Sequence, residues 1–149
     1  MDAKETFEAR GHPNVRSTHK TTLMVTRDEE LTTRGDCVVA VRAEKGTKDL
    51  DPRLKELIRN SETRVTLTME AGDSSLNVVG WGHPRLSLSD PLDMVIRKSG
   101  YTCGRTLMIR ADKVACDIPI AFVKLLQDVD QRVQLTIHAE IVTQKEQIS

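Results

Sequence analysis

Residues 41–71, VRAEKGTKDLDPRLKELIRNSETRVTLTMEA, and residues 109–139, IRADKVACDIPIAFVKLLQDVDQRVQLTIHA, align without a gap over 31 positions at an offset of 68. Ten positions are identical, where chance at average composition gives about two. They are Arg42/Arg110, Ala43/Ala111, Lys45/Lys113, Asp49/Asp117, Leu57/Leu125, Arg64/Arg132, Val65/Val133, Leu67/Leu135, Thr68/Thr136 and Ala71/Ala139. Upstream, Gly11-His12-Pro13 returns as Gly82-His83-Pro84 at an offset of 71, so about three residues separate the two spacings. Two copies are too few for a solenoid array. The repeat predicts an internal duplication: one domain over 1–142, built from half-repeats of about 6–72 and 76–142 around a pseudo-twofold axis, with 143–149 as a polar C-terminal tail.

Each copy contains one short helix with legible ends. Asp51 can accept a bond from the free amides of an opening turn, and Pro52 takes the first helical position, where its missing N–H costs nothing. Leu50, Leu54, Leu57 and Ile58 fall on one side, and the second copy matches them with Ile118, Phe122, Leu125 and Leu126. Burying four such side chains contributes up to about 6–12 kcal/mol per helix before entropy is counted, so packing forms these helices.

After each helix the period drops to two. Val65, Leu67, Met69 and Ala71 alternate with Arg64, Thr66, Thr68 and Glu70, and Val133, Leu135, Ile137, Ala139 and Ile141 repeat the pattern. Alternation of this kind marks antiparallel strands with one buried face. More apolar strands, suited to burial on both sides, precede the helices at 37–43 and 106–111. Strands at 7–10, 21–26, 76–81 and 94–98 complete the order β-β-β-α-β, twice. The expected class is α+β, predominantly antiparallel β with two helices, as a curved sheet or a barrel-like arrangement.

Composition sets outer bounds. A chain of 149 residues and 16.7 kDa folds as one domain that hides roughly 70% of its unfolded surface. With 38% apolar and 30% charged residues, disorder, coiled coil and disulfide scaffold are poor descriptions. No apolar run approaches the ~18 residues of a membrane span, and the opening Met-Asp-Ala-Lys-Glu lacks the apolar core of a signal peptide. The expectation is a cytoplasmic protein with no membrane partner. Cys37, Cys103 and Cys116 cannot all pair, and no CxxC or finger spacing links them, so reduced thiols are expected. Twenty-two basic side chains balance twenty-two acidic ones, and Phe7, Trp81, Tyr101 and Phe122 are the whole aromatic complement. Neither field nor stacking platforms favour nucleic acid.

The Gly-His-Pro pair is the sharpest local feature. Proline disfavours the helical region for the residue before it, so His12 and His83 should be extended, while the glycines allow tight bends or close approach. With His19 these imidazoles could line one pocket as proton-transfer groups or metal ligands, or each could merely fix its own turn. His138, on a polar strand face, reads as solvated. A second cluster runs through Arg97, Lys98, Ser99, Tyr101, Thr102, Cys103, Arg105 and Thr106, where cations, hydroxyls and loop amides could surround an oxyanion or simply flank an exposed hairpin. Aligning Gly35 with Gly104 sets Asp36 opposite Arg105, as a salt-bridge partner or as a general base beside an anion clamp. This asymmetry points to one site. Cys37 and Cys103 each lie within two residues of a glycine at a strand entrance, where Arg34 or Arg105 would favour a thiolate, but burial of free cysteine is common and both are assigned to ordinary packing. Glu44-Lys45 and Asp112-Lys113 are adjacent pairs whose side chains point oppositely on a strand, which argues against an acid-and-lysine nuclease. Walker, dinucleotide, zinc-protease and nucleophile-elbow motifs are absent.

The ordered set Gly11-His12-Pro13-Asn14-Val15, Thr18-His19-Lys20-Thr21-Thr22, Gly35-Asp36-Cys37, Gly80-Trp81-Gly82-His83-Pro84, Arg97-Lys98-Ser99 and Arg105-Thr106-Leu107 resembles the small archaeal family known as domain of unknown function 371. The resemblance covers nearly the whole chain. It implies a compact archaeal cytosolic protein and brings no catalytic assignment with it.

Three functions compete. The first is a small-ligand or enzymatic site between the half-repeats for an anionic, phosphorylated or similar compound. There His12, His19 and His83 would move protons or hold a metal and Asp36 would orient or deprotonate. Lys20, Arg97, Lys98, Ser99, Arg105 and Thr106 would bind the charge. No particular cofactor is implied. The second is a nucleic-acid-associated module, such as a nuclease, using the same cations. The third is a structural or assembly role, with an exposed sheet edge pairing to another copy as a homo-oligomer. A structure lacking a concave polar pocket near both histidines favours the third.

Overall fold

The computed structural model describes residues 1–142; the polar tail assigned to 143–149 lies outside the described residues. Chain order is β1 (Asp2–Arg10), β2 (Thr22–Thr26), β3 (Val38–Ala40), a 3-10 turn (Thr47–Asp49), α1 (Pro52–Ile58), β4 (Thr63–Ala71), β5 (Ser74–Trp81), β6 (Asp93–Arg97), β7 (Thr106–Met108), a second 3-10 turn (Ala115–Asp117), α2 (Ile120–Leu126) and β8 (Arg132–Ile141). The alternating segments become the centre of sheet A, an antiparallel ladder in the order β1-β8-β4-β5. Sheet B has the order β3-β2-β6-β7, with an antiparallel centre and a parallel strand on each side. This is the α+β class. The two sheets do not close into a barrel, and sheet B adds parallel pairs to the antiparallel majority.

One contiguous apolar cluster joins the inner faces, from Phe7, Leu67 and Ile137 of sheet A to Leu23, Ile96 and Leu107 of sheet B and Leu54 and Phe122 of the helices. α1 starts as its sequence dictates: Asp51 accepts the Arg53 amide at 2.9 Å, with Pro52 at the first position. α2 has no such cap, since Pro119 stands where Asp51 does. Burial of Phe122 and Leu126 carries it instead.

The strands expected over 37–43 and 106–111 form ladders of only three residues. The physical reason is a change of sheet. Val41 bridges to Arg10 and Ile109 to Trp81, both outside sheet B. Arg42 and Arg110 then turn the chain at φ 52° and 50°, in the left-handed region that non-glycine residues seldom enter.

Matched details recur in the two halves. Thr68 faces Thr136 at the middle of sheet A, and Met24 faces Val95 at the middle of sheet B. Ser17 and Leu88 share a positive φ, of 55° and 49°. At the outer strands, Glu44 Oε1 accepts the Glu8 amide and Asp112 Oδ1 accepts the Val79 amide. The repeated acid-lysine pairs therefore cover the edges of sheet A, a common defence against edge pairing.

Candidate anion site on sheet B

The Gly-His-Pro turns are built against helix ends. His12 donates its amide to Leu126 O at 2.8 Å, and His83 donates to Ile58 O at 2.9 Å. A Cβ on Gly11 would lie 2.2 Å from Asp128 O and one on Gly82 2.1 Å from Ile58 O, so only glycine fits where these turns satisfy the free carbonyls of a helix end. Each imidazole then accepts an amide of its own turn, from Asn14 to His12 Nδ1 and from Arg85 to His83 Nδ1, both at 3.0 Å. Nδ1 is the acceptor in these bonds, so a neutral ring carries its proton on Nε2.

The two histidines do not meet. Arg10 pairs with Arg132 at one end of β8, while Trp81 pairs with Arg64, which pairs with Glu140 at the other end. The stretch from 132 to 140 spans roughly 26 Å at the usual strand rise. This corrects the expectation of one pocket holding both imidazoles. Two surface grooves do not join them either. One, of about 380 Å³, is lined by Arg53, Arg59, Asn60 and Pro84; the other, of about 420 Å³, by Arg16, Cys116, Ile118 and Val123. Among the described residues no three of His, Cys, Asp and Glu gather as a metal site.

His19 lies elsewhere, at one end of sheet B. Its Nδ1 accepts the amides of Thr21 and Thr22 at 3.2 and 3.1 Å and faces the Thr22 hydroxyl at 3.0 Å. Thr22 is the cross-strand partner of Arg97, and the Lys98 amide donates to Thr21 O at 3.0 Å. Asp36 O receives the amides of Thr18 and His19. The fold thus brings the backbone of His19, Lys20, Asp36, Arg97 and Lys98 to one corner.

Beside that corner, the loop between β6 and β7 holds Arg97 on several sides. Arg97 Nε donates to Thr106 Oγ1 at 2.8 Å, and Nη2 donates to Cys103 Sγ at 3.4 Å. Its Cζ stands 4.7 Å from the centroid of the Tyr101 ring. Thr106 Oγ1 lies 3.4 Å from Cys103 Sγ, and Thr106 is completely buried. Ser99 steadies the loop, its Oγ accepting the Tyr101 amide at 3.3 Å. Arg105 pairs with Asp93 Oδ2 at 3.1 Å and not with Asp36. The reason is a one-residue difference in alignment. Gly104 O receives the Ser89 and Asp90 amides just as Asp36 O receives those of Thr18 and His19, so Arg105 corresponds to Cys37.

The three cysteines occupy different electrostatic settings. Burial would raise the Cys103 thiol, but the Thr106 hydroxyl, the Arg105 amide and the Arg97 guanidinium outweigh it and lower the pKa to about 7. Burial pushes the Cys37 thiol up, against a hydrogen bond from Thr22 and with Asp36 adding to the rise. Cys116 is exposed. Cys103 thus sits among hydrogen-bond donors of its loop, while Cys37 packs against the apolar core. Asp93, not singled out from the sequence, is the partner of Arg105; only the register of β6 against β7 could have shown that. His138 is not simply solvated, since its Nε2 lies 2.9 Å from Asp2 Oδ2.

With this geometry in view, the comparisons with known proteins are specific. The model of the family described as Domain of unknown function (DUF371) matches residues 7–140. The chain belongs to that family. It is also 43% identical over 122 residues to the uncharacterized protein MJ0206 of Methanocaldococcus jannaschii, covering 82% of this chain and 90% of that relative. The matched span of the DUF371 family includes both Gly-His-Pro turns and the whole Arg97 cluster. No helix among the described residues is long and apolar enough to cross a membrane.

Proposed function

We propose that the protein binds a small anionic compound, of the phosphate or carboxylate class, beside β6 and β7 of sheet B in the second half of the chain. The observation that carries this reading is the state of Arg97. It is half-buried, fixed by a hydroxyl, a thiol and an aromatic ring. Among the described residues no carboxylate lies within ion-pair distance of it. Arg27, Arg42, Arg64 and Arg105 by contrast each have one. A guanidinium held in place without a carboxylate is a preorganised receptor for an oxyanion. Lys98 and Ser99 follow Arg97 in the chain, the backbone of Lys20 and His19 reaches the same end of sheet B, and Thr106 and Arg105 are supporting groups.

The halves are read as two copies of one β-β-β-α-β unit forming one domain, supported by the matched bonds and φ values. Asymmetry between them supports a single site: the counterparts of Arg97 and Thr106 are Thr26 and Val38. A cytosolic location is supported by three unpaired cysteines. Assembly through the edges of sheet A is disfavoured by the Glu44 and Asp112 caps, and zero net charge disfavours nucleic acid.

The test is thermal unfolding with orthophosphate or succinate at constant ionic strength, in the natural protein and in Arg97→Gln. A ligand at a hundredfold excess over its Kd stabilises by about 2.7 kcal/mol. One of the two anions should raise the midpoint in the natural protein and leave Arg97→Gln unmoved. Equal shifts in both proteins, or none in either, would overturn the reading.

A further inference from the structure

The groove of about 420 Å³ is walled by the loop after β1 on one side and by the second 3-10 turn and α2 on the other. Three bonds hold these walls together. Ser17 Oγ donates to Ala115 O at 2.7 Å, Gln127 Nε2 to Val15 O at 2.9 Å, and the Cys116 amide to His19 O at 3.0 Å. A groove fixed in this way needs little ordering when a ligand enters. Its lining is largely apolar: Ile118 is buried, Val123 is half-buried, and Ile120 stays 76% exposed near the exposed Cys116.

The first half has the same frame with a different lining. The Lys48 amide donates to Asp90 O as the Cys116 amide does to His19 O, and Arg59 Nε donates to Leu86 O as Gln127 Nε2 does to Val15 O. At the offset of 68, Lys48, Pro52, Lys55 and Arg59 stand where the second half has Cys116, Ile120, Val123 and Gln127. Arg59 also reaches Ser87 O through Nη2 at 2.6 Å, so its guanidinium lies along that loop, whereas the shorter Gln127 makes only the Val15 bond. Charge changes the other way at the rim, where Ser87 and Glu56 of the first half correspond to Arg16 and Lys124. Among the described residues neither cation has a carboxylate at ion-pair distance. The neighbouring acids Asp117 and Asp128 accept the amides of Val114 and Asp130. An apolar lining flanked by two unpaired cations thus belongs to one copy alone.

We propose that this groove binds a free single-chain carboxylate of the medium-chain fatty-acid class, its alkyl chain along Ile118, Ile120 and Val123 and its head group met by Arg16 and Lys124. The space suits one small molecule, since ligand sites commonly measure about 300–1,000 Å³. Burial of methylene groups supplies the affinity, and the cations select the sign of the head group. The site is distinct from Arg97 and does not depend on the reading of that cluster.

Cys116 supplies the readout, because a chain lying in the groove covers its sulfur. The test follows alkylation by neutral iodoacetamide, resolved by site with mass spectrometry of the intact folded protein, as decanoate is added below its micelle concentration. Labelling of Cys116 should slow severalfold and saturably while Cys37 and Cys103 keep their rates. Decyltrimethylammonium, with the same chain and the opposite charge, should protect far less, and succinate, with no alkyl chain, not at all. Joint replacement Arg16→Gln and Lys124→Gln should weaken decanoate about fivefold, the worth of two exposed ion pairs. Val123→Lys should abolish protection. Ile120→Ser, at an exposed position where folding is not at stake, should weaken it severalfold. Arg97→Gln should be protected like the natural protein, which separates this site from the proposed anion site. Equal protection by the two decyl compounds, protection untouched by Ile120→Ser, no protection by decanoate, or rates altered alike at all three cysteines would overturn the inference. So would protection by phosphatidylglycerol vesicles alone, which would make this face a membrane contact.

Discussion

Replacing Gly82 by alanine should destabilise the fold without touching the Arg97 cluster. The new Cβ would stand 2.1 Å from Ile58 O, 2.7 Å from Asn60 O and 3.0 Å from Ile58 C, all backbone atoms that cannot swing aside. Relief requires the turn to leave the end of α1, which breaks the bonds from Gly82 N to Thr63 O and from His83 N to Ile58 O, both 2.9 Å. Two lost bonds at about 0.5–1.5 kcal/mol each, with about 1–3 kcal/mol of overpacking and less about 0.4–1 kcal/mol from a stiffer unfolded chain, give roughly 3 kcal/mol. For a domain of this size that is a fall of about 6–12 °C in Tm. Urea unfolding followed by the fluorescence of Trp81, the single tryptophan and the immediate neighbour of Gly82, reads it directly. Gly100→Ala is the control, because a Cβ there meets nothing within 4 Å. That variant should stay within about 0.5 kcal/mol of the natural protein. If Gly82→Ala were as stable as Gly100→Ala, the assignment of the Gly-His-Pro turns to helix termination would be wrong.

His12→Ala and His83→Ala should each cost about 1 kcal/mol, the worth of one neutral hydrogen bond, and leave stabilisation by anions unchanged in the same unfolding assay. Asp51→Ala removes the acceptor for the Arg53 amide and should cost about 1 kcal/mol by urea unfolding. The Cys103 thiol has a folded pKa lowered to about 7, so its ionisation supports the folded state above the unfolded value, and that support is lost as pH falls through about 7. The stability difference between the natural protein and Cys103→Ser should therefore widen from about pH 7 to pH 9 and stay flat below about pH 6, measured by urea midpoints in reductant.

Much of the architecture was legible because it rests on periodicity. Alternation over 63–71 and 133–141 marks the middle of sheet A, since one face of each strand must be buried. Asp51 and Pro52 likewise mark the start of α1 through local chemistry alone. The short ladders of β3 and β7 were not legible, because Val41 and Ile109 look like continuing strand while bridging to other partners. The site divides in the same way. Arg97, Thr106 and Arg105 stood out as a local cluster of cations and hydroxyls. The loudest motif led elsewhere, because glycine beside histidine and proline suits a helix-terminating turn as well as a pocket. Cys103 was assigned to packing because its surroundings depend on how the loop returns over β6, a tertiary event with no sequence period.

The central claim is that a small anion is held at Arg97. Two-dimensional amide and arginine-Nε NMR spectra of the folded protein, recorded while orthophosphate or succinate is added, test it most directly. Saturable shifts are expected for Arg97 Nε–H and for the amides of Lys98, Ser99, Arg105 and Thr106, with His12 and His83 unmoved. Saturable shifts confined to the two Gly-His-Pro turns, or no saturable shift at Arg97, would contradict it.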